Sequence, residues 1–335
     1  MTAFLPQINP QNYQPHWLHA AERNWPETNC YVDVWIEVLA SLGHDPCAAG
    51  GFTVTQDFEG DQFTFFKYPA EDLDLIYGLA VTELAIYERV DLHAAEQIRR
   101  GRLPLVEVDG FYLPDTSAVS YRSEHTKTTI GINRIDSDSR RMDYFHNGGF
   151  FTLTGEDFDS IFPRLDASSN RSVLFPYVEF VKIARQPVAT DIALIATERL
   201  GFHLARRPVC NPFTAYRERL RCDIDKLIAG EGPSFQNYAF NTARQFGANF
   251  DLLAAHLRWL AAAGGPRADT AITAAMQISD AAKAFQFQMA RALARKQNKG
   301  LDAAVERLAG DYERMMQDLC ACVGIQAAPR LVPTL

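Results

Sequence analysis

The stretch Trp25-Pro-Glu-Thr-Asn-Cys-Tyr-Val-Asp-Val-Trp-Ile-Glu-Val-Leu39 decides how the N-terminal half of the chain is read. Thr28 or Asn29 supplies a helix N-cap and Pro26 stands just upstream, so a helix is expected from about Cys30 to Leu42. Val34, Ile36, Val38 and Leu39 give it an apolar surface to bury. Cys30 then falls at the helix N-terminus, where unpaired N–H groups and the positive dipole end favour a thiolate. The same N–H groups can hold an oxyanion once the thiolate has attacked a carbonyl. The alternative is a small buried hydrophobe, the commoner fate of a free cysteine.

Working outward, residues 1–185 carry most of the aromatic and β-branched runs. Thr53-Val-Thr, Phe63-Thr-Phe-Phe, Leu105-Val-Glu-Val, Thr128-Thr-Ile-Gly-Ile and Tyr144-Phe-His read as strands, with Asp136-Ser-Asp-Ser as a hairpin turn. A second helix is expected over about Leu92–Arg100. Residues 187–325 show apolar positions three and four apart, as in Phe246, Phe250, Leu253, Leu257 and Leu260. Helices are expected there at 189–206, 212–229, 234–262, 268–297 and 301–323, broken at Pro208, Gly230-Glu-Gly-Pro233, Gly264-Gly-Pro266 and Asn298-Lys-Gly300. The fold class is therefore α+β, a helix plus antiparallel sheet over 1–186 followed by an α-helical bundle over 187–335.

A net charge of -8 without a Lys/Arg run argues against a nucleic-acid partner. No stretch reaches the roughly 20 apolar residues of a membrane span, and Met1–Gln14 lacks a secretory pattern. The six cysteines form no CxxC and no zinc spacing, so reduced thiols, a cytoplasmic location and no protein-bound metal or cofactor are expected.

A thiolate nucleophile needs a base. Of the eight histidines, His125 has the best context, opening the apolar strand Glu124-His-Thr-Lys-Thr-Thr-Ile-Gly-Ile. A lone surface histidine is the plainer reading. The base needs an orienting partner. The strand returning after Asp136–Ser139 ends at Asn147, which is expected beside His125, with Asp143 and His146 as lesser candidates. Gly148-Gly149 allows close approach of another segment. Asp109, Tyr112 and Asp115 are candidate contacts for an acceptor amine, although Pro114-Asp-Thr is also a turn that Asp115 would cap. Phe58-Glu-Gly-Asp-Gln62 reads as a hairpin loop. Arg122 and Lys127 are candidate phosphate contacts or simply solubilising charges. Arg244, with Gln245 and Asn249, either closes a pocket or forms the polar face of a bundle helix.

The order of Cys at a helix start, His at a strand start and Asn ending the next strand resembles the papain-like fold, and most nearly the bacteriocin-leader peptidases and the butirosin acyltransferase family. In those peptidases a Gln six residues before the cysteine supplies an oxyanion-hole donor; that position here is Asn24. Over nearly its whole length the chain resembles the bacterial family called domain of unknown function 1839. The motifs are Trp25-Pro-Glu-Thr-Asn-Cys-Tyr-Val-Asp33, Phe58-Glu-Gly-Asp-Gln62, Val106-Glu-Val-Asp-Gly-Phe-Tyr-Leu-Pro-Asp-Thr116, Glu124-His-Thr-Lys-Thr-Thr129 and Tyr144-Phe-His-Asn147. The resemblance implies work in carrier-protein and nonribosomal-peptide-like pathways. The expected reaction moves an acyl or aminoacyl group from the phosphopantetheine thioester of a carrier protein to an amine through acyl-Cys30. The expected catalytic set is Cys30, His125 and Asn147, with Asn24 at the oxyanion. Two rivals remain: a cysteine hydrolase with the same residues, and a non-catalytic scaffold that binds a carrier protein or peptide.

Overall fold

The computed structural model describes residues 2–162, 175–188, 190–231 and 234–324. The chain forms two compact units: Met1–Ala21, Asn29–Pro46 and Ala70–Pro187 make the first, and Glu22–Thr28, Cys47–Pro69 and Val188–Leu335 the second. The expected boundary at 186 lies one residue from the last junction. The segments 22–28 and 47–69, expected in the first domain, belong to the second unit. The architecture is α+β, with an antiparallel sheet in the first unit and helices in the second. Among the described residues no helix is long and apolar enough to cross a membrane.

The first unit contains helices α1 (Cys30–Ser41), α2 (Ala70–Tyr77), α3 (Val90–Arg99) and α4 (Gly155–Ile161). Its strands are β1 (Leu79–Glu83), β2 (Arg102–Asp109), β3 (Lys127–Asp136), β4 (Arg141–His146), β5 (Gly149–Thr154) and β6 (Val178–Ile183), in the sheet order β1-β6-β2-β3-β4-β5. Neighbouring strands are all antiparallel. One sheet face carries α1, which crosses β3 and β4. Gly131 makes this approach possible, because a Cβ there would stand only 3.2 Å from Val34 Cγ1. The other face buries Val106, Ile130, Ile132 and Tyr144 against Val90, Ala94 and Ile98 of α3.

Helix α1 begins where the sequence places it: the Asn29 side chain accepts the Val32 N–H at 3.0 Å. Every residue from Tyr31 to Leu39 is buried, including Asp33 and Glu37. Two carboxylates in an apolar setting need partners. His19 supplies them, with Nδ1 on Glu37 and Nε2 3.2 Å from Asp33. The backbone N–H of His16 (2.9 Å) and the Tyr13 hydroxyl also donate to Glu37. Burial alone would lower the pKa of His19, but the hydrogen bonds and charges of Asp33 and Glu37 outweigh it and push the pKa up to about 9. The imidazole also lies against the turn after β4, where a Cβ on Gly148 would fall 2.7 Å from His19 Cγ. The close approach expected at Gly148-Gly149 is to this ring.

The second unit contains α5 (Ile192–Leu204), α6 (Pro212–Ala229), α7 (Phe235–Ala239), α8 (Gln245–Ala262), α9 (Asp269–Arg295) and α10 (Leu301–Val323). A π-helical turn at Phe240–Arg244 joins α7 to α8, so the helix expected over 234–262 is interrupted. Ala189, Gly232 and Pro233, which fall in an expected helix start and break, lie outside the described residues. Helix α9 packs between α8 and α10, and α10 also packs on α6.

Two expected strands are absent. Thr53-Val-Thr lies in a 3-10 run, Pro46–Thr55, and Phe63 makes only an isolated bridge to Phe58 that closes the 58–63 hairpin. The cause is side-chain burial. Phe58 and Phe63 insert between helices, with ring centroids 5.5 Å (Phe58 to Tyr216) and 5.2 Å (Phe63 to Phe246) apart. The Thr53 carbonyl accepts from Asn249 Nδ2 at 2.9 Å, and the Cys47 carbonyl lies 2.8 Å from His256 Nδ1. Aromatic and β-branched residues signal burial, and here helices rather than a sheet bury them.

The raised pKa of His19 is a stability statement with a defined sign. Its contribution is complete below the unfolded value of 6.5 and is lost as pH rises through about 9. We expect the unfolding free energy of the wild type, less that of His19→Gln, to fall by on the order of 3 kcal/mol across that window in urea titrations. A difference that stays constant with pH would refute the buried imidazolium.

Candidate functional site

The antiparallel register of β2 and β3 pairs Asp109 with Lys127. Continued two residues further, it sets Phe111 opposite His125. Their rings stack at a centroid distance of 4.4 Å and an interplanar angle of 11°. Asp109 caps the short turn Gly110–Tyr112: its Oδ1 accepts the N–H groups of Phe111 at 3.0 Å and Thr126 at 3.3 Å. Its Oδ2 lies 2.5 Å from His125 Nδ1. Burial works to raise the Asp109 pKa. The bond from His125 and the backbone donors of Phe111 and Thr126 overcome it and hold the carboxyl below its ordinary range. An ionised carboxylate only accepts, so Nδ1 carries the proton and, in the neutral ring, Nε2 keeps its lone pair.

His125 is 67% exposed and lines a cavity of about 530 Å³ together with Asp109, Tyr112, Glu107 and Lys127. The Tyr112 ring stands edge-on to the imidazole at 6.3 Å. A histidine oriented by a carboxylate at the wall of a cavity is an arrangement that a general base can use.

The structure does not bring the expected set together by hydrogen bonds. Cys30 is the first residue of α1, as expected; it is half-buried, and its sulfur lies against Thr129 Oγ1 at 3.8 Å. No hydrogen bond joins it to His125. Asn147 sits in the two-residue turn between β4 and β5 with a left-handed φ of 45°. The register Gly131↔Phe145, continued, sets Asn147 across from Thr129, four residues short of His125. The expected Asn147–His125 pairing therefore gives way to Asp109–His125, because β2, not β4, pairs with β3 as far as its first residue.

Asp115 is not a local cap. Its carboxylate receives the Tyr144 hydroxyl and lies on His146 Nδ1, while His146 Nε2 is 2.8 Å from Thr128 Oγ1. His146 is 1% exposed and Asp115 5%, so this group fixes the sheet face beneath α3 and α4. Asp143 accepts from Thr152 Oγ1 at 2.7 Å. Lys127 pairs with Glu107 at 2.8 Å, and Arg122 pairs with Asp157.

In the second unit Asn24 donates its amide to Asp280. Arg244 bonds the Thr28 carbonyl at 3.3 Å and the Glu27 carboxylate at 3.2 Å, and its guanidinium lies 4.8 Å from the centre of the Phe240 ring. Gln245 is buried, and Asn249 holds Thr53. Among the described residues no three His, Cys, Asp or Glu side chains form a metal-ligand group.

Sequence reasoning named Asp109 but not its partnership with His125, and it missed His19. The available signals were the Val106-Glu-Val-Asp alternation just before the His125 strand, and two acids four residues apart in an otherwise apolar helix.

The fold and site thus define a two-part α+β protein with a carboxylate-oriented histidine at a cavity of its sheet unit. Residues 14–183 match the model of the DUF1839 N-terminal domain and residues 190–321 that of the DUF1839 C-terminal domain. The chain belongs to the DUF1839 family. No curated protein matches it.

The His125 tautomer is directly measurable. In the wild type, ¹⁵N-resolved imidazole spectra at a pH where the ring is neutral are expected to show the Nδ1–H form. Asp109→Ala shifts the population toward Nε2–H, the form favoured by free imidazole side chains. An unchanged tautomer ratio in that variant counts against the pair.

Proposed function

We propose that the chain is an acyltransferase in which His125, oriented by Asp109, is the general base. The observation that carries this reading is the 2.5 Å contact of His125 Nδ1 with Asp109 while the ring lines a cavity. The donor in this reading is an acyl or aminoacyl thioester on a carrier-protein phosphopantetheine arm, the donor that the sequence resemblance implies. The acceptor is an amine.

As the amine nitrogen bonds to the acyl carbon, Nε2 of His125 takes one of its protons, and Asp109 stabilises the imidazolium through Nδ1–H. The tetrahedral adduct then collapses, the C–S bond breaks, and the proton passes from Nε2 to the departing thiolate. Exchange of a thioester for an amide runs downhill without an energy source. Water in place of the amine turns the same chemistry into hydrolysis.

A second reading keeps Cys30 as a nucleophile that carries the acyl group. It is favoured by the position of Cys30 at the capped N-terminus of α1 with its sulfur half-buried rather than sealed. Neither route as written uses Asn24, whose amide donates to Asp280.

The test is turnover of acyl-loaded carrier protein with an amine. His125→Gln is expected to lower kcat by roughly 10²- to 10⁴-fold with KM little changed and the fold intact by circular dichroism. Asp109→Asn lowers kcat in the same direction. Full activity in His125→Gln would remove the pair from the chemistry.

A further inference from the structure

Apolar and polar side chains both line the cavity at His125. Val90, Val108, Ile161, Phe162 and Phe175 belong to or pack on one hydrophobic cluster and make its apolar end, while Asp109, His125 and Lys127 are grouped where β2 ends beside the start of β3 and make the polar one. Two cations border the cavity, Arg89 and Lys127, and at first sight they suit a phosphate or a carboxylate. Both are already neutralised. Arg89 makes a two-pronged contact with Asp91, Nε to Oδ1 at 3.1 Å and Nη2 to Oδ2 at 2.5 Å, and that carboxylate is fully buried. Lys127 Nζ lies 2.8 Å from Glu107. The pairing cancels the charge that would draw an anion in, and breaking either pair would strand a carboxylate, in the case of Asp91 a buried one. The remaining lining charge, Asp109, repels an anion as well. The third nearby cation, Arg122, is held by Asp157.

We infer that the cavity is an acyl-binding site that takes an uncharged alkyl or aryl acyl group, apolar end first, with the carbonyl stopping at His125. Under the function proposed above, the phosphate of a pantetheine arm stays outside and the acyl group alone enters. A volume of about 530 Å³ lies within the range of sites that enclose a small-molecule group. The polar end stands where the carbonyl carbon must meet the base, and the apolar end gains from every methylene it covers.

Two readouts on the full chain test this. The first is fluorescence binding of the neutral probe N-phenyl-1-naphthylamine, with octanamide as competitor. The probe is expected to bind the wild type, to be displaced by octanamide but not by succinamate, and to bind Ile161→Glu at least tenfold more weakly with the fold retained. The second is kcat/KM on p-nitrophenyl esters from acetate to octanoate, expected to rise roughly fourfold per buried methylene. No probe binding, equal binding by Ile161→Glu, displacement by succinamate, or a flat or falling chain-length series overturns the acyl site. The two proposals fail separately: probe binding with undiminished turnover in His125→Gln would sink the general base and leave the acyl cavity standing.

Discussion

The first unit depends on one buried ion cluster. Asp33 and Glu37 lie on the inner turns of α1 with essentially no solvent exposure, and such carboxylates are stable only if hydrogen-bonded and paired. His19 answers both from a single ring, and Tyr13 and the His16 backbone complete the set. The cluster draws the N-terminal segment across α1. Through the contact of His19 with Gly148, it also ties α1 to the turn after β4. The helix is thereby fixed over β3 and β4, and Cys30 is brought to Thr129.

From β3 the geometry passes to the candidate site through strand register. β2 and β3 pair as far as Asp109↔Lys127, and the chain beyond continues the same approach through Gly110, whose N–H donates to the Thr126 carbonyl at 2.8 Å. His125 therefore has a floor, the Phe111 ring, and a side support, the Asp109 carboxylate. Asp109 meets three donors at once, and the same contacts that cap a turn also orient the imidazole. His125, two residues before β3, is thus held by the last residue of β2 and by the turn that follows it.

The parts of the fold written in local pattern were legible. The Asn29 cap and apolar run gave α1, and α6 fills the expected range 212–229, ending at Gly230. Thr53-Val-Thr and Phe63-Thr-Phe-Phe misled because their residue types report burial, and the burying surface is made by helices far along the chain. The site was legible in part. His125 stood out, but its partner was sought on β4 when β2 reaches further along β3. Asp109 was visible as a candidate contact for an acceptor amine, whereas its bond to His125 depends on register that no local pattern encodes. Asp115 looked like a turn residue for the same reason, since its bonds to Tyr144 and His146 cross about thirty residues. Cys30 keeps the position its sequence implies, and its contact is a threonine hydroxyl rather than an imidazole.

In the proposed function His125 acts on the incoming nucleophile directly, with no enzyme nucleophile between donor and acceptor. Intact-mass analysis of the protein, quenched during turnover of an acyl-loaded carrier protein, tests it most directly. The account predicts that no acyl adduct accumulates on the chain and that Cys30→Ala still forms amide at a rate close to wild type. An acyl adduct on Cys30 that decays when amine is added, together with an inactive Cys30→Ala, contradicts it.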